Sequence, residues 1–229
     1  MTTISIHQPV YLPWLGFFGK IISSDIFVIL DDVQYEKNGW QNRNKIRTRN
    51  GDSWLTVPVK TKSDTLLKDV LIDNSSNWIQ KHSKTIIFNY SKTPFFNEFW
   101  NELKYFYSKQ FDSLLELNVE IIKLLLQKFN INTKLILSSE LDIHSHSSER
   151  ILDICKNLNA KQYVSGIGGK DYLKMEDFNK NNIKVRFQNF QHPSYKQMYE
   201  PFYPNMTAID LIFNTGENCE NILKKAKNF

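Results

Sequence analysis

Cysteine is scarce: Cys155 and Cys219 are the only two in 229 residues. They supply neither a disulfide framework nor a paired zinc motif. A reducing, cytoplasmic compartment is the simple expectation. Long apolar runs are missing too. Leu114 to Leu126 comes nearest, but Glu116, Asn118, Glu120 and Lys123 interrupt it, so no membrane span is expected. The first residues lack the basic start and apolar centre of a signal peptide. Nor does one sign of charge dominate. The net charge of +5 is dispersed, with lysines interleaved among asparagines. That argues against a nucleic-acid partner and suits a basic pocket for a phosphorylated ligand. No repeat and no low-complexity linker divides the chain, so residues 1–229 read as a single domain.

Aromatic residues are abundant, with 16 Phe and 10 Tyr. They suit a compact core and an aromatic-lined pocket. Thr3-Ile4-Ser5-Ile6 reads as a strand, Phe17 to Ile22 as a helix and Ile26 to Leu30 as a buried strand. Between them lies Ile6-His7-Gln8-Pro9-Val10-Tyr11-Leu12-Pro13-Trp14-Leu15-Gly16. Ligands of open α/β sheets bind at the carboxyl ends of strands. Here those ends carry His7-Gln8 and Asp31-Asp32.

Asn42 to Lys60 reads as a hairpin turned at Asn50-Gly51. Three helical patterns follow, about 75–90 capped by Asn74-Ser75-Ser76, 94–108 and 111–129. Together they suggest a helical lobe, residues 75–130, inserted between halves of a sheet. Strands then alternate with helices again: Lys134 to Leu137, Gln162 to Ser165 and Ile183 to Phe187. The expected fold class is therefore α/β, a Rossmann-like, mostly parallel sheet with a hairpin and the helical lobe.

Five groups of residues carry candidate chemistry. His7 at a strand end suits a general base, or simply a hydrogen bond to its loop. Asp32, with Asp31, can orient His7 or accept a sugar hydroxyl; a turn role for at least one is the plain alternative. No third carboxylate lies at a telling spacing, and His144 and His146 read as loop residues, so no metal site is assigned. Gln34, Tyr35, Lys37, Trp40, Asn42, Arg43 and Lys45 mix stacking rings with phosphate-binding cations, a mixture unusual for a plain hairpin edge. Ser165, Gly166, Gly168, Gly169 and Tyr172 form a glycine-rich turn after a strand. It can face an anion, or serve only as a tight connection, and it lacks the Walker spacing. His192, Tyr195 and Gln197, with Tyr203 and Asn205, lie in an aromatic tail read as a lid or as surface packing. Gln8, Tyr11 and Trp14 complete the expected ligand contacts.

The HQP-x-YLPW-x-G opening, the D-x-Q-Y-x-K-x-x-W-x-NRN-K-I centre and the W-L-T-V-P-V close resemble the WbqC-like protein family. Tyr163 to Gly166, Asp171 to Leu173, Tyr195-x-Gln197 and Asp210 to Asn214 extend the likeness almost end to end. The resemblance implies a bacterial enzyme of cell-surface polysaccharide (O-antigen, lipopolysaccharide) precursor assembly. Acyl or aminoacyl transfer to a nucleotide-linked amino sugar is the reaction it suggests. His7 would take a proton from the attacking amine, and Asp32 or Gln34 would position the sugar. No tightly bound cofactor is expected beyond an acyl or aminoacyl donor. The loop through Trp14-Leu15-Gly16-Phe17 is also partly similar to that of nucleotidyltransferases with an H-x-G-H signature, although both imidazoles are absent. Nucleotidyl transfer and a non-catalytic sugar-nucleotide-binding module are the alternatives.

Overall fold

A computed structural model describes the whole chain, Met1–Phe229. Its centre is a five-stranded sheet of β1 (Thr3–His7), β2 (Ile26–Ile29), β7 (Lys134–Leu137), β8 (Gln162–Ser165) and β9 (Lys184–Phe187), all parallel. The order is β7-β2-β1-β8-β9, which in chain order of these five strands is 3-2-1-4-5. That is the Rossmann order, and the winding reverses between β1 and β8.

Both faces are covered, as a parallel sheet requires. Ile4, Ile6 and Val28 point into a small core with Ile151, Ile154 and Cys155 of α5 (Ser147–Asn157) and Phe178 of α6 (Met175–Lys180). Phe27 and Ile29 point the other way into a larger core. It contains α1 (Leu15–Ile22), α7 (Ala208–Thr215) and α8 (Cys219–Lys225). Successive residues of a strand alternate faces, so the four-residue β2 serves both cores.

The crossover from β2 to β7 is long. It holds the hairpin β3 (Arg43–Thr48) and β4 (Gly51–Thr56), and a small pair β5 (Val59–Lys60) and β6 (Leu71–Ile72). Three helices follow: α2 (Trp78–Tyr90), α3 (Phe96–Ser108) and α4 (Leu114–Lys128). Their apolar faces join the larger core through Ile86, Phe99, Leu103, Leu117, Ile121 and Leu125. No helix is long and apolar enough to cross a membrane.

Two local expectations shift. The hairpin pairs Thr48 with Gly51, so its two loop residues are Arg49 and Asn50. Gly51 follows at φ +125°, a conformation open to glycine. Helix α2 begins at Trp78, and its flanking Asn77 makes no capping bond. Ser75 instead donates to Asp73, while Asn74 donates to the Phe111 carbonyl. The short polar side chains there close a turn, which competes with the cap they were expected to form.

Candidate functional site

The segment from Gln8 to Trp14 crosses the carboxyl end of β1 and is tied down from several sides. Leu12 has φ +44°, uncommon for a side chain of that size. Buried Asn44 on β3 holds it there, donating to the carbonyls of Leu12 (2.8 Å) and Tyr11 (3.2 Å). Gln41 donates to Gln8 Oε1 at 2.7 Å, and Asn118 of α4 donates to the Gln41 carbonyl at 2.8 Å. Tyr11 is buried, bonded to His82 Nδ1 at 2.9 Å and to the Tyr107 hydroxyl at 2.5 Å. Thus Gln8 and Tyr11, expected as ligand contacts, are occupied in fixing the loop.

Trp14 folds back over the start of α1. A β-carbon on Gly16 would lie 2.1 Å from the indole, so only glycine leaves room for this ring. Phe190 packs edge-on against Trp14, their centroids 5.6 Å apart. The Gln188 side chain donates to the Gly16 carbonyl at 2.9 Å.

His7 ends β1 with its ring edge-on to Phe17 of α1. Its Nδ1 donates to the Gln8 carbonyl at 2.8 Å. That bond fixes the tautomer and leaves the Nε2 lone pair available. Desolvation, aided by the charge of Lys20, lowers its pKa to about 3. The ring is therefore neutral at physiological pH.

Two adjoining cavities share His7 and Trp14. One, about 750 Å³, is also lined by Trp40, Lys45, Asp52 and Tyr203. The other, about 330 Å³, runs to Lys20, Gly166, Ile167 and Gln188. The smaller opens where the sheet reverses its winding, the place where ligands of such sheets bind, and the larger adjoins it at the end of β1. The rim of the larger is aromatic and cationic. Trp40 and Trp54 lie 5.0 Å apart, 49% and 41% exposed. The Arg43 guanidinium sits 4.5 Å above the Trp54 ring, and Lys45, paired with Asp52, 5.1 Å from it.

The expected site residues do not all converge. Tyr35, Lys37, Asn42 and Arg43 line a separate cavity of about 510 Å³. Within it Asn42 is tied to the Val57 carbonyl and Arg43 to those of Gly39 and Asn38. Gln34 lies outside all three cavities and donates to the Ser63 carbonyl. Asp32 lines neither of the cavities that His7 lines. Its carboxylate is engaged by Arg150 and by Ser138, and Asp31 by Ser138 and Ser139. This ion pair joins the end of β2 to α5, so the Asp32 carboxylate is held by Arg150 and Ser138 and makes no bond to His7.

Ser165 is buried and bonds the Gly166 carbonyl. Gly166 lines the smaller cavity, Gly168 faces open space, and a β-carbon on Gly169 would strike Ser165 Oγ at 2.0 Å. Tyr172 is half exposed, away from both cavities.

Tyr195 and Gln197 reach Asp210 instead of a ligand. Asp210 is fully buried on α7 and accepts from Tyr195 (2.7 Å), Gln197 (2.9 Å) and Tyr90 (2.9 Å). Burial raises its pKa, and those three donors oppose the shift. His192 donates from Nδ1 to the Pro193 carbonyl, and its Nε2 is buried without a partner. The tail therefore straps itself to α7 and presents Tyr203, Asn205 and Met206 to the larger cavity.

Lys20, Gln188 and Asn189 line the smaller cavity but were not among the residues expected from the sequence. The signal for Lys20 was present: it is the lone charge in Leu15-Gly16-Phe17-Phe18-Gly19-Lys20-Ile21-Ile22. A short helix that is apolar on all sides is buried, and a charge within it is buried too.

The WbqC-like protein family matches residues 8–222. The chain belongs to that family. An uncharacterized Mycobacterium tuberculosis protein, Rv1507c, is 32% identical over 228 residues, covering 98% of each chain. No solved structure matches. Family membership covers both cavities, since all of their residues except His7 fall within the matched span.

Proposed function

We propose that this protein is a cytoplasmic bacterial transferase of cell-surface polysaccharide (O-antigen) precursor assembly. Its substrate is a nucleotide-linked amino sugar, and it forms an acyl or aminoacyl amide on the sugar nitrogen. The observation that carries this reading is the placement of His7 Nε2, uncommitted and neutral, between two cavities at the reversal point of a Rossmann-ordered sheet.

The larger cavity suits the base or sugar ring, because Trp40 offers a stacking face beside cations. In the reaction the amine lone pair attacks the acyl carbonyl of an activated donor. The C–N bond forms as the bond to the leaving group breaks. His7 Nε2 takes the proton that the amine sheds and returns it to the leaving group, a role that needs the ligand's phosphate charge to offset Lys20 and raise the ring's low pKa. Holding both reactants across His7 converts their encounter into a unimolecular step.

The test is a thermal-shift screen with nucleotide-linked amino sugars, followed by turnover with acyl donors. A ligand that binds only the native state raises the melting temperature. Stabilisation by such a sugar, with turnover reduced ~10²-fold or more in His7→Ala, supports the reading. Stabilisation by ATP or CTP with pyrophosphate release points to nucleotidyl transfer instead. Tight binding without turnover points to a recruiting module.

A further inference from the structure

Lys20 lies on α1 and is only 5% exposed. An ammonium withdrawn from water is costly unless something compensates it. No carboxylate lies within ion-pair distance of it. Its one hydrogen bond is to the Ile6 carbonyl at 3.5 Å, the limit for such a contact. Burial lowers its pKa to about 8, so the group stays mostly charged at neutral pH.

The ammonium faces the smaller cavity. A β-carbon built on Gly166 would stand 3.4 Å from Lys20 Nζ, and both residues line that space with His7 and Gln188. A buried cation beside open space and neutral polar groups is the electrostatic complement of an anion. Lys presents a compact point charge, which suits a phosphoryl oxygen.

We infer that Lys20 anchors a phosphoryl group of the ligand in the cavity between α1 and the end of β8. That group sits across His7 and Trp14 from the cavity lined by Trp40. The phosphate charge is thereby met by Lys20 inside the cleft. Arg43 and Lys45 stay with the stacking rim. The inference rests on the proposed function for the identity of the ligand, but the anion site can be probed without a sugar.

The experiment is calorimetric titration of the full chain with inorganic pyrophosphate and, separately, with a uridine-diphosphate-linked amino sugar. Wild type, Lys20→Met and Gly166→Ala are compared. Lys20→Met should melt higher than wild type without ligand, because a buried charge is exchanged for an apolar chain of similar length. It should bind pyrophosphate at least ~10-fold more weakly, the effect of losing one charge-assisted contact. Gly166 has φ −67° and accepts a methyl group without backbone strain. In Gly166→Ala that methyl stands in front of the ammonium, and pyrophosphate binding should weaken in a fold that is unchanged.

Pyrophosphate binding equal in all three proteins, or none in wild type, overturns the inference. If pyrophosphate binding depends on Lys20 but no nucleotide-linked sugar binds, the anion site stands and the amino-sugar reading falls. If the sugar nucleotide binds wild type and Lys20→Met alike, the anion site falls and the amino-sugar reading stands.

Discussion

His7 and Lys20 face one cleft, and the charge of Lys20 acts on the imidazole. Desolvation is the larger cause of the low His7 pKa, and the Lys20 ammonium is the second. Two results should follow in NMR titrations of the imidazole. In wild type, His7 should stay neutral until the pH approaches about 3. In Lys20→Met its pKa should rise, because the neighbouring positive charge is gone. A His7 that titrates near 6.5 in wild type would contradict a partly desolvated ring beside Lys20.

His82 makes a parallel prediction about stability. Its Nε2 donates to the Thr56 carbonyl, so Nδ1 accepts from the Tyr11 hydroxyl. Burial lowers its pKa to about 4 from 6.5. Between those values the unfolded chain binds the proton more readily than the folded one. Stability from this group is therefore complete above pH ~6.5 and is lost as the pH falls toward ~4, on the order of 3 kcal/mol in all. Urea unfolding at a series of pH values should show the slope, and His82→Gln should reduce it to the part contributed by His7, whose pKa burial also lowers. An unchanged slope in that variant would assign the acid sensitivity to other groups.

At the scale of elements, the loop after β1 and the aromatic tail form one assembly. Gly16→Ala would press a methyl group into the Trp14 ring. The protein should still fold, but Trp14 should be displaced, with altered tryptophan fluorescence and weaker ligand binding at both cavities that it lines. Asp210→Ala removes the acceptor shared by Tyr90, Tyr195 and Gln197. Tyr90 and Tyr195 would lose their acceptor and Gln197 one of two, a loss of roughly 3 kcal/mol by chemical unfolding. Proteolysis should then begin in the freed tail. A variant as stable as wild type would show that the strap contributes little.

Much of this organisation is legible in residue patterns. Short apolar runs ending in His7 and Asp31 mark parallel strands, and the alternation after residue 130 marks the remaining three. The expected mixed α/β architecture with a hairpin matches the structure for that reason. The polar positions read less well, because the same residue types serve ligands and buried networks. Asp32 meets Arg150, 118 positions away, and Tyr195 and Gln197 meet Asp210. No local pattern distinguishes such partners from a substrate. Lys20 is a different case: a lone lysine on a helix usually reaches water, but the all-apolar helix around this one marks it as buried, and the packing of α1 agrees.

Across the whole molecule, the strand order places the end of β1 beside the end of β8 and so creates the cleft. The long crossover between β2 and β7 brings Trp40 and Lys45 to one side of it, and the tail brings Phe190 and Tyr203. Residues distant in the chain therefore converge on His7. The most direct test follows the His7 ring nitrogens by NMR while a uridine-diphosphate-linked amino sugar is titrated in. The account predicts a saturable change at Nε2 that tracks the binding curve from calorimetry. Saturable binding that leaves the His7 signals unmoved would place the ligand elsewhere and contradict it.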